Sequence, residues 1–279
     1  MKLAVISDVH GNYKALEAFL AYIGKNPVDG IVCLGDYVTD SPYPQRTMEL
    51  IYGMKEKYTC YMLRGNREDY LIQNFHKPQG WHPSSPNGAL FYTSKHVTEE
   101  DIHFYEDLPT EERLDFQGLP SMMICHGAPG IVRGNLEADK ALKEKVMQEL
   151  DTPWLLGGHS HHQELDVLFG KTYLNPGSLG LCIDKKGRHA QFAVLDGREG
   201  EWNAQLLTID YDVDSFLRDF AKSGLDEYGM VLNRAVKKTL LTGENYFFSC
   251  VRMVQEMTGL PLHKIPEEVW QEAGRRLKL

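Results

Sequence analysis

Three short apolar runs open the chain, Lys2 to Ile6, Gly30 to Leu34 and Thr59 to Leu63, and each soon gives way to an oxygen or nitrogen donor. Asp8 and His10 follow the first run, Asp36 the second and Asn66 the third. Between them lie two segments of helical spacing. Asn12 to Gly24 carries Ala15, Leu16, Phe19, Leu20 and Ile23 on one side, with Asn12 placed to cap it and Gly24 to stop it, and Gln45 to Lys55 is amphipathic. Strands alternating with helices predict a parallel sheet with right-handed crossovers. Ligands of such sheets gather beyond the carboxyl ends of the strands, where all four donors fall. Asp8 and His10 stand two apart, so an extended backbone points both side chains the same way.

The pattern returns further along. Met122 to Cys125 delivers His126-Gly127, and Trp154 to Leu156 precedes Gly157-Gly158-His159-Ser160-His161-His162, where His159 and His161 repeat the two-residue spacing. Helices are expected over Asn87 to Lys95, from Thr98 to about Leu108, and over Ala138 to Leu150; His76 to Pro86, with three prolines, reads as a surface loop. Thr172 to Leu174, Gln191 to Leu195 and Ala204 to Ile209, joined by glycine-containing turns, predict a second, mainly antiparallel sheet. From Val213 the chain turns helical, over Asp214 to Lys222, Glu227 to Thr239, Tyr246 to Met257 and Glu267 to Leu277. The expected organisation is a domain over residues 1–212 and a helical extension over 213–279, serving as a lid or as an oligomer contact such as a homodimer interface.

Composition narrows the function. A net charge of -9 argues against extended nucleic acid and against an anionic membrane surface. No apolar stretch approaches the ~20 residues of a membrane span. The five cysteines stand singly with no Cys-x-x-Cys pair, and Met1-Lys2 leads straight into a strand, which together predict a reducing, cytoplasmic setting.

Asp8, His10, Asp36, Asn66, His126, His159 and His161 all fall where a strand hands over to a loop. Seven donors exceed what one zinc ion takes, whereas two ions sharing a carboxylate would use them, with Asp36 as the natural bridge. Mixed imidazole and carboxylate ligation suits Mn, Fe, Zn or Ni.

With these blocks in order, Asp8-x-His10, Gly35-Asp36, Gly65-Asn66-Arg67-Glu68, His126-Gly127 and Gly158-His159-Ser160-His161, the sequence resembles the calcineurin-like metallophosphoesterase superfamily, in particular its bacterial phosphodiesterase-like branch. The resemblance spans residues 8 to 161 and implies an α/β fold, a four-layer α/β/β/α sandwich of two mixed sheets flanked by helices, leaving the C-terminal helices as an appendage. It also implies that Asp8, His10, Asp36 and His161 hold one divalent ion and Asp36, Asn66, His126 and His159 a second.

One position departs from the family pattern. Much of the family carries a histidine after the asparagine of the third block, and here Arg67 stands there. Arginine stays protonated and is no proton donor, but it can neutralise charge on a phosphoryl oxygen, with Arg64 near enough in sequence to assist or to bind a second phosphate. The alternative is that Arg67 only pairs with Glu68 or another acid. Attack by a metal-activated water would then favour leaving groups of low pKa, as in phosphodiesters and phosphoanhydrides of small nucleotides such as dinucleoside polyphosphates. Tyr37, Tyr43 and Trp81 are candidate stacking surfaces. A monoester or protein phosphatase, and a catalytically weak protein-binding scaffold, are the other readings.

Overall fold

A computed structural model describes all residues from Met1 to Leu279. In chain order the elements of the N-terminal half are β1 (Lys2–Ile6), α1 (Tyr13–Lys25), β2 (Gly30–Cys33), α2 (Pro44–Lys57), β3 (Cys60–Met62), α3 (Asn66–His76), α4 (Gly88–Ser94), α5 (Glu99–Asp107), β4 (Glu111–Phe116) and β5 (Leu119–Cys125). The remainder are α6 (Lys140–Glu149), β6 (Trp154–Leu156), β7 (Gln163–Leu168), β8 (Lys171–Pro176), β9 (His189–Arg198), β10 (Glu201–Asp210), α7 (Val213–Lys222), α8 (Leu225–Thr242), α9 (Tyr246–Thr258) and α10 (Glu267–Arg276). The strands form two five-stranded mixed sheets, in the orders β10-β9-β1-β2-β3 and β4-β5-β6-β8-β7.

Alternation along β1 and β2 builds the layers. Ala4, Ile6, Ile31 and Cys33 face Leu16 and Phe19 of α1 and Met48 and Ile51 of α2. Leu3, Val5 and Val32 point the other way and pack on Met122, Ile124 and Leu156 of the second sheet. The far side of that sheet, with Leu155 and Tyr173, is covered by Met147 of α6. The result is the expected order of helix, sheet, sheet and helix.

The composition of the second sheet differs from expectation. β9 and β10 belong to the first sheet, with β9 antiparallel to β1. The reason lies in β9 itself, which is apolar on both faces: Ala190, Phe192 and Val194 join the helix-side core, while Ala193 and Leu195 join the intersheet core. A strand buried on both sides belongs inside a sheet. The second sheet is completed by β4 and β7, two polar strands at its edges.

The C-terminal helices pack back on the sandwich. Phe216 and Phe220 of α7 and Val236 and Leu240 of α8 share a core with Tyr13, Tyr92 and Leu181. No helix is long and apolar enough to cross a membrane.

Candidate metal centre

Each expected donor is placed by the strand before it. β1, β2 and β3 run parallel, as do β5 and β6. Their carboxyl-end loops are stitched to one another: Asp8 N–H donates to Gly35 O (3.0 Å), His10 N–H to Asp36 O (3.0 Å) and Gly158 N–H to His126 O (2.6 Å). The side chains converge by a different device from the extended backbone expected. Asp8 (φ 54°), His10 (φ 46°), Asp36 (φ 57°), His159 (φ 65°) and His161 (φ 61°) are all left-handed. Such residues are uncommon outside glycine, and they cluster where surrounding structure over-determines them.

Both carboxylates are anchored by one oxygen. Asp8 Oδ2 accepts from Ser7 Oγ (2.6 Å) and His159 N–H (2.9 Å). Its Oδ1 is left facing His161 Nε2 at 3.3 Å and His10 Nε2 at 3.7 Å. Asp36 Oδ1 accepts from Arg67 N–H (2.8 Å), and its Oδ2 lies 3.5 Å from His126 Nε2 and 3.7 Å from His10 Nε2. The imidazoles are anchored likewise. His126 Nδ1 bonds Leu34 O (2.7 Å), His161 Nδ1 bonds Leu181 O (2.8 Å), and His10 Nδ1 faces Asp40 Oδ2 at 3.2 Å. Carbonyl and carboxylate partners hold the proton on Nδ1, which turns the Nε2 lone pairs inward, the arrangement that metal-binding histidines adopt.

These residues fit a divalent cation. Asp8 Oδ1, Asn66 Oδ1 and His126 Nε2 are buried with no hydrogen-bond partner. Buried polar atoms are rarely left so, and a cation would engage all three. Ligand atoms of Asp8, His10 and His161 lie within 4.8 Å of one another, as do those of Asp8, Asp36 and His126. The field also demands positive charge. Burial opposes charging His126, yet Asp36 and Asp8 outweigh it and push its pKa up to about 10; for His10 the same contest, with Asp40 and Asp8 against burial, ends at about 9. Burial, followed by repulsion from His126, holds His159 down at about 4, so it is a neutral donor.

The two arginines part company. Arg64 is turned away from the centre, with Nε on Asp69 Oδ1 (3.0 Å) and Nη1 on Glu106 O (3.1 Å) and Leu108 O (2.7 Å). Its expected role at a phosphate is therefore corrected: it does not line the pocket, and its Nε and Nη1 join α3 to α5. Arg67 lines the pocket, with Nη2 3.1 Å from Asp40 Oδ2 and Nε 3.9 Å from Asp36 Oδ2. Of the expected stacking residues, Tyr37 is buried with its hydroxyl on Leu63 O (2.7 Å), Tyr43 packs under Arg46, and Trp81 packs against the helix-side core. None of the three lines the pocket.

Asp40 and Glu68 complete the centre. Buried Glu68 accepts from the backbone N–H groups of Asp36 (2.8 Å), Tyr37 (2.9 Å) and Gly65 (2.8 Å), so one carboxylate clamps the loop after β2 to the loop after β3. Gly65 permits that contact, since a Cβ there would stand 2.3 Å from Asp36 Oδ1. The centre opens into a surface pocket. His10, Asp36, Asp40, Asn66, Arg67, His159, Ser160 and His161 form its polar side.

Comparison with known proteins agrees with this geometry. Residues 1–200 match the calcineurin-like phosphoesterase superfamily domain. An uncharacterized protein of Methanocaldococcus jannaschii is 26% identical over 243 residues, the match covering 81% of this chain and 94% of that one. The crystal structure of a hypothetical protein from Pyrococcus horikoshii superposes with a TM-score of 0.72 at 20% identity, over 87% of this chain and 98% of its own. That of a metallophosphoesterase from Sphaerobacter thermophilus does so with a TM-score of 0.68 at 23% identity, over 87% of this chain and all (100%) of its own. With the family domain matched over most of its length, the chain belongs to the calcineurin-like phosphoesterase superfamily and is a metal-dependent phosphoesterase.

Proposed function

We propose that Asp8, His10, Asp36, Asn66, His126, His159 and His161 hold two divalent ions, and that the protein hydrolyses phosphodiester or phosphoanhydride bonds of small molecules, nucleotides among them. Bound there, such ions supply Lewis-acid polarisation of phosphoryl oxygens and a water made nucleophilic near neutral pH. Asp8 and Asp36, each with one oxygen anchored, keep the other aimed at the centre. Arg67, charged at every accessible pH, neutralises a phosphoryl oxygen at the rim. Asp40 orients both Arg67 and His10.

The observation that carries the reading is the make-up of the pocket walls. Beyond five of the seven proposed ligands they hold Asp40, Arg67, two hydroxyls, one amide and apolar side chains, and no lysine, tyrosine, cysteine or further histidine. A leaving group there must depart as an anion, which favours phosphates, nucleotides and aryl oxides over simple alkoxides. Five unpaired cysteines support a reducing, cytoplasmic setting.

The test is a rate series with Mn-loaded protein on phosphodiesters and phosphoanhydrides of graded leaving-group pKa, with Asp36→Asn as the control. Turnover should fall steeply as leaving-group pKa rises, vanish in the control, and drop about a hundredfold or more in Arg67→Ala. Equal rates on alkyl and aryl esters would refute the reading.

A further inference from the structure

The apolar side of the pocket joins a loop of the matched family domain to helices that lie beyond it, the match ending at residue 200. Leu181 and Ile183 from the β8–β9 loop meet Thr239 of α8, Asn245 at the cap of α9, and Phe247 and Phe248 in the first turn of α9. The side-chain oxygens of this wall are occupied. Thr239 Oγ1 donates to Ala235 O (2.9 Å) and accepts from Tyr246 N–H (3.2 Å), and Asn245 Oδ1 accepts from Phe248 N–H (3.0 Å). Apart from the Asn245 side-chain NH2, what remains is hydrocarbon.

Phe247 and Phe248 divide the work. Phe247 packs into the two cores that join the C-terminal helices to one another and to the sandwich, so its ring is fixed. Phe248 stands edge-on to it, with centroids 5.8 Å apart and planes at 75°, and is 65% exposed. A large aromatic ring exposed on the lip of a pocket whose other side is charged offers its face to a flat, apolar group. The pocket is thus two-ended, with phosphoryl chemistry at Arg67 and an unoccupied aromatic face at α9. A second phosphate has no cation waiting, because Arg64 is engaged elsewhere.

We propose that the first turn of α9 is an aromatic subsite in which the Phe248 ring stacks on a planar aromatic group, nucleobase or aryl, of a substrate whose reacting phosphoryl group sits at Arg67 and the seven ligands. This rests on the metal-centre reading above and adds a specificity determinant supplied by the C-terminal helices.

Binding of two phosphonates that cannot be hydrolysed tests it by calorimetry on the Mn-loaded full chain. Phenylphosphonate should bind wild-type protein about tenfold tighter than methylphosphonate; Phe248→Ala should erase that preference and Phe248→Trp keep it. Because Phe248 is largely exposed, its truncation leaves both cores filled. Wild-type protein that binds the two equally, or a Phe248→Ala protein that loses both to the same extent, would overturn the subsite while leaving the hydrolase reading intact. Binding of neither would overturn the metal-centre reading on which it stands. Preference for phenylphosphonate without turnover of any ester would instead uphold the subsite and refute the hydrolase.

Discussion

Asp40 touches two members of the centre at once, His10 Nδ1 and Arg67 Nη2, and is itself buried. Replacing it by asparagine keeps the shape but removes the charge that fixes the His10 tautomer. Asp40→Asn should therefore lower Mn affinity about tenfold to a hundredfold in a calorimetric titration, with the fold intact by circular dichroism. Unchanged affinity would mean that His10 is oriented without it. Asp40 was not legible beforehand because Thr39-Asp40-Ser41-Pro42 reads as an ordinary turn, where aspartate serves its own backbone. The seven proposed ligands were legible, since each ends an apolar run and imidazoles and carboxylates seldom gather there otherwise. The left-handed backbone that aims five of them was not, because no residue type there demands it. Arg64 and Arg67 lie three positions apart at the head of α3, and only packing against α5 decides which of them reaches the pocket.

At the scale of elements, the closest joint is between α4 and α8. A Cβ on Gly88 would stand 1.7 Å from Tyr228 O, and two residues later α8 is broken at Met230 (φ 42°, ψ -118°). Ser84 N–H donates to Tyr228 O (3.0 Å) and Val231 N–H to Ser85 Oγ (3.1 Å), so the loop before α4 takes up groups that the break releases. Gly88→Ala must part the two helices, and should destabilise the protein by about 3 kcal/mol in chemical denaturation. An unshifted midpoint would show that the joint yields freely. The elements that sequence reasoning misplaced share a cause. β4 and β7 cover one face each and carry acidic residues, so their apolar signal is thin, while the burial of β9 on both faces says that it is central without saying in which sheet.

At the scale of the whole molecule, a buried cluster spans the boundary expected near Asp212. Tyr13 of α1, Tyr92 of α4 and Leu181 are buried in the same cluster as Phe216, Phe220, Val236 and Leu240. Calorimetry of the full chain should accordingly show one transition whose measured enthalpy matches the van't Hoff value. Two separated transitions would mean that residues 213–279 fold on their own. The place of β1 between β2 and β9 carries a further consequence for biosynthesis. Leu3, Ala4 and Val5 pair on one side with Gly30, Ile31 and Val32, which emerge soon after them, and on the other with Leu195, Val194 and Ala193. At about 5–20 residues per second, the ribosome takes roughly 10 to 40 s to deliver that second partner. Throughout that interval β1 presents an unpaired edge to whatever attends the nascent chain.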